Sequence, residues 1–358
     1  MTMGGSKGTA AISSAWIDRV ACPTCGVAVE AMRERLRCAK CQQSWPVIDG
    51  VPHFVESFPY WGEMPAEQMQ AVNRRAAEGS WRAALLESED PSVRKASEMI
   101  LNVDRANWHW LIDLPAESRV LDLGAGTGTN AHGLGMRFAE VTAVEPVMER
   151  IDFMRHRFAQ EGLSNVNVLR SSLWILPFLK NSFDMVAMNG VLEWVATGIP
   201  GNPMELQKQA LKNVHNLVRP DGYFYLGIEN RFNLGYFAGY PDPHCGLPWV
   251  TIMPRPMADW YARRNGQPDG YRQYLYSSAG YRKLLESAGF NRIEIYLALP
   301  TYNHPRFLIP LEDNVFDYYQ QSFASGQVKS RKRKVLDLIR GTGLLKHCEY
   351  SFAILARK

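Results

Sequence analysis

One stretch, Val120-Leu121-Asp122-Leu123-Gly124-Ala125-Gly126-Thr127-Gly128-Thr129-Asn130-Ala131, constrains this chain more than any other. An apolar run of strand length enters three glycines at alternate positions, and a helix-compatible segment follows. Glycine admits the left-handed backbone that a tight strand-to-helix turn needs, and lets a ligand come close to the main chain. The start of the next helix offers free N–H groups. A second apolar run, Val141-Thr142-Ala143-Val144, ends in Glu145. A carboxylate at the end of the second strand can accept hydrogen bonds from ribose hydroxyls. The layout is that of a nucleoside-cofactor site.

Two cofactor classes use this layout. The dinucleotide fingerprint is G-x-G-x-x-G/A. Here the spacing is G-x-G-x-G, and Asp122 closes the strand before the first glycine. In that form VLDLGAGTG resembles motif I of class I S-adenosylmethionine (SAM) methyltransferases with a methyltransferase type 11-like core. The resemblance implies SAM as cofactor. It assigns Gly124, Ala125, Gly126 and Gly128 to the glycine loop, Asp122 to the methionine end, and Glu145, followed by Pro146, to the ribose. The run 169–178 resembles GDAExLPF, and FDMVAMNGVLEWV resembles FDxVxxxxVLEHV. Where that family has an adenine-contacting Asp, this chain has Ser172, with Leu173 beside it for a backbone contact. Asn189 and Gly190 close the fourth strand, beside the expected methyl group.

From residue 117 strands and helices alternate, which predicts a doubly wound parallel sheet. Strands are expected at 119–123, 141–145, near 166–169, 183–188, 223–228 and 291–298, and in the closing EYSFAILARK. Helices are expected at 204–217, stopped by Arg219-Pro220-Asp221-Gly222, and at 277–288, ending in Gly289. The family resemblance implies a Rossmann-like α/β sheet with its reversed last strand inserted beside the fifth. Residues 117–358 are read as this domain, with substrate-shaping insertions at 229–276 and 301–346.

Four of the six cysteines fall in pairs, Cys22-x2-Cys25 and Cys38-x2-Cys41. Each pair can present two thiolates from a turn, and two such turns can close a tetrahedral zinc site. With no open ligand position, such a zinc is structural. Two disulfides are the alternative, disfavoured in a reducing compartment. Residues 20–56, ending SWPVIDGVPHFV, resemble the small Trm112-like zinc-ribbon modules placed before or beside some methyltransferases. Residues 1–19 read as a flexible tail, and 57–116, carrying Trp61, Trp81, Trp108 and Trp110, as a helical linker or lid.

Methyl transfer asks the protein to align a nucleophile, exclude water and, for a hydroxyl acceptor, remove a proton. Candidates follow the fifth strand in Gly227-Ile228-Glu229-Asn230-Arg231-Phe232 and continue through Tyr236 to Asp242-Pro243-His244. This run resembles GIENRxGLxYxxGxxxDHxG, found in methyltransferase-like proteins associated with surface-glycan and other biosynthetic gene sets. His244 is the first choice for a general base, because imidazole titrates near neutrality; Glu229 is the second, and Glu193 also lies close to a strand end. The bland alternative for His244 is a loop histidine. Pro243 stands where an acid is expected, which displaces the acid to Asp242. Asn230, Arg231, Tyr236, Trp194, Tyr302 and His304 are the candidate substrate contacts; Arg231 can equally form an ion pair with Glu229.

The chain has 358 residues, 46% apolar and 21% charged, as a globular protein does. A net charge of +4 neither demands nor excludes a polyanionic partner. The basic run Lys329, Arg331, Lys332, Arg333, Lys334 reads as a solvated helix start, with phosphate contact as its alternative. No apolar run approaches the ~18 residues that a membrane span needs. A signal-peptide core is not evident, so a cytoplasmic location is expected. The leading expectation is a SAM-dependent methyltransferase acting on a hydroxyl oxygen of a small-molecule or sugar-containing biosynthetic intermediate. The alternatives are an rRNA or tRNA base methyltransferase gripping RNA through the ribbon, and a non-catalytic SAM-binding scaffold.

Overall fold

The computed structural model describes residues 14–324 and 344–358. The basic run at 329–334 lies outside the described residues, as do residues 1–13 of the expected tail; residues 14–19 are not a tail, since helix Ser14–Ile17 buries Trp16 and Ile17 and Arg19 pairs with Glu140. The chain divides into two compact units, Met1–Leu101 with Leu114–Asp184, and Asn102–Asp113 with Met185–Lys358.

The first unit carries a small antiparallel sheet in the order β1 (Glu30–Ala31), β2 (Arg35–Arg37), β3 (Ser44–Ile48), β4 (Val51–Pro52). Three parallel strands follow, β5 (Arg119–Leu123), β6 (Glu140–Glu145) and β7 (Val166–Arg170), paired in that order. β5 and β6 are buried along almost their whole length, which is why their interiors are apolar on both faces apart from the buried Asp122 and Thr142, rather than alternating. Main-chain bonds from Ala21 N–H to Pro177 O and from Phe54 N–H to Arg170 O join the small sheet to the segment around β7.

Helices Ala66–Glu78, Trp81–Leu86 and Pro91–Leu101 also belong to this unit. Ser80 caps the second of them by accepting from the N–H groups of Arg82 and Ala83. Their apolar faces (Met69, Val72, Trp81, Leu85, Val93, Ile100) share a core with Phe153 of helix Met148–Gln160. Arg157 from that helix is fully buried; its Nε donates to His132 Nδ1 and its Nη1 to Ile100 O, Thr127 O and Thr129 Oγ1, and the guanidinium lies over the Trp81 ring. Residues 66–101 are thus built into the unit's core.

In the second unit the strand order is β11-β10-β12-β9-β8, with β8 at Phe183–Asn189, β9 at Val218–Glu229, β10 at Asn291–Thr301, β11 at His304–Pro310 and β12 at Ser351–Arg357. β12 is antiparallel to both of its neighbours, so the last strand is reversed and inserted, as expected. β9 begins at Val218, five residues before the expected start, yet its pairing with β12 starts at Tyr223. The anticipated turn survives as a left-handed Asp221 inside the assigned strand. Helix Pro203–Leu217 starts at an Asn202 cap with Pro at its first position, and helix Ser278–Ala288 runs from a Ser277 cap to a left-handed Gly289.

Two features depart from the sequence reading. Residues 304–310, read as part of an insertion, form β11, a hairpin partner of β10. The prolines at 305 and 310 argue against a central strand, but an edge strand tolerates them. The insertion at 229–276 has a core of its own: Val250, Ala258, Ala262, Tyr271 and Tyr274 pack together around helix Arg255–Arg264. The whole is an α/β fold of the Rossmann-like kind, with parallel strands in one unit and reversed pairings in the other.

Candidate functional site

In the first unit, chemistry collects at the carboxyl ends of β5 and β6. Gly124, Gly126 and Gly128 all hold left-handed backbone, at φ of 69°, 58° and 76°. A Cβ on Gly128 would meet Met154 Cγ and Phe158 Cζ at 2.7 Å, so the residue is fixed by packing as well as by conformation. At Gly126 the nearest atom to a Cβ would be Arg150 Nη1 at 3.9 Å, and the loop is open there.

Glu145 organises this loop. Its Oε2 accepts from Gly126 N–H at 2.9 Å and its Oε1 from Val147 N–H at 3.1 Å. Arg150 Nη1 stands 3.8 Å from Oε1, while Arg150 Nη2 donates to Glu63 Oε2 at 2.8 Å. Burial pushes the Glu145 carboxyl up to about 7, against the pull of Arg150 and of the two N–H bonds. Asp122 is buried and accepts from Asn130 Nδ2 at 2.9 Å. Ala125 N–H donates to Val144 O, and Pro146 O accepts from Arg170 Nε. Ser172 Oγ accepts from Trp174 N–H at 3.3 Å, and Leu173 is half-buried beside it. Sequence reading missed Arg150 and Glu63, which steady the acid from outside the motif.

Also in this unit, Cys22, Cys25, Cys38 and Cys41 are brought together, with all four sulfurs within 4.8 Å of one another. Cys22 and Cys41 sulfurs are 3.6 Å apart, and all four cysteines are free thiols. Each pair closes a tight turn: Gly26 N–H donates to Cys22 O and Gln42 N–H to Cys38 O, with Gly26 and Gln42 both left-handed. Cys25 N–H also points at Cys22 Sγ, 3.3 Å away.

In the second unit, a buried acid–base cluster joins the ends of β8 and β9 to the 229–276 insertion. His244 Nδ1 lies 3.1 Å from Asp242 Oδ1. That same oxygen accepts the main-chain N–H groups of His244 and Cys245, and Oδ2 accepts from Thr251 Oγ1 at 2.7 Å and Tyr271 Oη at 2.9 Å. Asp242 is therefore saturated with donors and holds the imidazole in place. Nε2 of His244 faces Glu229 Oε2 at 3.7 Å and Glu193 Oε1 at 3.8 Å. Tyr302 Oη donates to Glu229 Oε1 at 3.0 Å, and the Trp194 ring meets the His244 ring edge-on at 4.9 Å.

Burial, and then the charge of Glu229, push Glu193 up to about 8, and burial likewise raises Glu229. Burial works to lower His244, but the Asp242 bond and the two glutamates outweigh it and carry it up to about 9. Burial works to raise Asp242, and its bonds to His244 and Thr251 hold it below the usual carboxylate range.

The other candidates are placed as follows. Asn189 accepts weakly from Tyr225 Oη at 3.4 Å, and its main-chain oxygen accepts from Arg105 Nη2. Gly190 is left-handed, and a Cβ there would meet Tyr302 Oη at 2.6 Å. Tyr236 is buried with no hydrogen bond to its hydroxyl. Asn230 donates to His347 O and Glu349 O and accepts from Phe232 N–H. Arg231 donates to Thr251 O and Met253 O. Both side chains are engaged by main-chain partners: Asn230 ties the end of β9 to the segment before β12, and Arg231 braces the loop that delivers Thr251. His304 is met by Asn102 Nδ2 at the start of β11. Thr251, Tyr271 and Arg105 were missed in the sequence, since each reaches its partner over a long separation.

Residues 121–226 match a family model described as a methyltransferase domain. That range holds the glycine loop, Glu145 and Glu193; it excludes the cysteine quartet, Glu229 and His244. The uncharacterized methyltransferase YodH of Bacillus subtilis is 26% identical over 181 residues, covering 51% of this chain and 63% of that protein. A malonyl-[acyl-carrier protein] O-methyltransferase of Halorhodospira halophila is 30% identical over 144 residues, covering 39% of this chain and 45% of that protein. The chain thus spans less than two thirds of the length of these curated relatives. Among solved structures, a SAM-dependent methyltransferase from Archaeoglobus fulgidus is 15% identical with a TM-score of 0.45, covering 75% of this chain and 100% of that one.

Proposed function

We propose that this chain is a SAM-dependent methyltransferase that methylates a hydroxyl oxygen of a small-molecule or sugar-containing biosynthetic intermediate. The observation that carries the cofactor half is Glu145, a buried carboxylate fixed by Gly126 N–H at the end of β6, over an open loop of left-handed glycines. Bound there, SAM supplies a methyl group already electrophilic on its sulfonium. Glu145 would hold the ribose, Asp122 the methionine end, and Ser172 with Leu173 the adenine. In the second unit the Glu193–Glu229–His244 set would take up the acceptor's proton; His244, carried up to about 9, already holds a proton at neutral pH, so the two carboxylates would receive it and the imidazolium would steady them. The ligand atoms of all three lie within 4.8 Å of one another, so they share protons as a set. Trp194, Tyr236 and Tyr302 would line the acceptor.

The cofactor reading predicts a pH dependence. Ribose hydroxyls donate to the ionised form of Glu145, which is lost as pH falls through about 7. By linkage, SAM affinity is expected to fall roughly tenfold between pH 8 and pH 6. Calorimetric titration at the two pH values measures it, and an equal affinity at both would contradict ribose binding by this carboxylate.

We further propose that the cysteine quartet holds a structural zinc ion. Four sulfurs about 2.3 Å from a tetrahedral zinc stand about 3.8 Å apart, close to the 3.6 Å between Cys22 and Cys41. The quartet would tie the two turns together and so fold the small sheet. Elemental analysis is expected to find one zinc per chain, lost on Cys38→Ser together with thermal stability. A zinc-free wild-type protein that melts like its chelator-treated form would refute the assignment.

A further inference from the structure

The Glu193–Glu229–His244 cluster has a geometry that proton sharing alone does not explain. His244 Nε2 is 3.7 Å from Glu229 Oε2 and 3.8 Å from Glu193 Oε1. These separations exceed a hydrogen bond, yet the three ligand atoms all lie within 4.8 Å of one another. A point equidistant from three atoms so spaced is about 2.1–2.4 Å from each, close to the length of a metal–oxygen or metal–nitrogen bond. Glu193 is 1% exposed and Glu229 3%, and Oε2 of each makes no hydrogen bond. A buried carboxylate oxygen without a partner is costly. Arg105, whose charge acts on Glu193, gives its bond to Asn189 O instead.

The surroundings are also those of a metal centre. A ligating histidine characteristically donates its other ring N–H to a carboxylate, which fixes its orientation. His244 Nδ1 meets Asp242 in this way, and Asp242 is itself held by Thr251, Tyr271 and two main-chain N–H groups. Glu229 Oε1 is steadied by Tyr302 Oη, leaving Oε2 to face the histidine.

We propose that Glu193, Glu229 and His244 Nε2 bind one divalent first-row cation of the Mn2+ or Zn2+ type. Two carboxylates and an imidazole suit such an ion, and its double charge neutralises both buried acids. His244 is then a ligand rather than a free base, and the ion offers an acceptor oxygen a positive partner of the kind that lowers an oxygen's pKa. The inference refines the acceptor end of the proposed function, but ion binding needs neither SAM nor turnover.

The test is titration of the full chain, carrying a single equivalent of zinc for its thiolate site and stripped of other metal, with Mn2+ alone, followed by the electron paramagnetic resonance signal of free Mn2+; the thiolate site keeps its softer zinc. One Mn2+ per chain is expected to leave the free signal. Glu193→Gln and Glu229→Gln are each expected to weaken binding by at least about tenfold, and Asp242→Asn, acting through His244, by about 10- to 100-fold. Wild-type protein that leaves all the Mn2+ free would overturn the proposal, whether or not the variants fold. So would folded variants that bind as wild type does. SAM titration of the same sample separates the readings: SAM binding without Mn2+ removes the ion site alone, and Mn2+ binding without SAM removes the cofactor reading alone.

Discussion

His244→Ala is expected to lower turnover by roughly 100- to 10,000-fold, the range over which acid–base groups contribute to catalysis, while SAM affinity stays at the wild-type level. The imidazole lies in the second unit, surrounded by Asp242, Glu193, Glu229 and Trp194, and the residues assigned to the ribose and methionine ends lie in the first. Single-turnover rates with saturating SAM, together with a separate SAM titration, make the distinction. A variant that keeps full activity removes the cluster from the chemistry. A variant that loses SAM binding in parallel indicates that the substitution has disturbed the fold instead. Asp242→Asn is expected to follow in the same direction with a smaller loss, because it leaves the ring present but differently oriented.

Glu145→Ala is expected to weaken SAM binding by an order of magnitude or more. Hydrogen bonds to a charged group contribute about 1.5–3 kcal/mol each, and ribose offers two hydroxyls. The substitution also frees Gly126 N–H, which now donates to Glu145 Oε2, and leaves Arg150 with Glu63 as its remaining carboxylate partner. Some of the loss will therefore come from a looser glycine loop. Glu145→Gln separates the two contributions, since the amide oxygen still accepts from Gly126 while the charge is gone. Unchanged affinity in the alanine variant would remove Glu145 from the cofactor site.

The parts of the site that were legible in the sequence are those carried by local patterns. Three glycines at alternate positions, each needed at positive φ, and an acid at the end of the next apolar run are short-range signals. Both cysteine turns are short-range as well. The cluster around His244 was legible only in its members. Pro243 seemed to displace the acid from the histidine, but the turn makes use of it. Asp242 Oδ1 accepts the N–H groups of His244 and Cys245, and at the intervening position a residue without an N–H loses nothing. Thr251 and Tyr271 approach Asp242 from 9 and 29 positions further on, and no periodicity announces such partners. Asn230 and Arg231 looked like substrate contacts because polar residues follow a core strand. Their targets are main-chain oxygens of two different segments, 347–349 for Asn230 and 251–253 for Arg231, whose paths the sequence does not reveal. The same limit applies to residues 66–101, where helical periodicity marked an apolar face without indicating what that face would cover.

The most direct test of the central claim is calorimetric titration of the purified protein with SAM and, separately, with NADH, because the glycine loop alone is compatible with both cofactor classes. Micromolar SAM binding with no heat from NADH is the predicted result. NADH binding, or no binding of SAM at any accessible concentration, would contradict a SAM site built on Glu145 and the glycine loop.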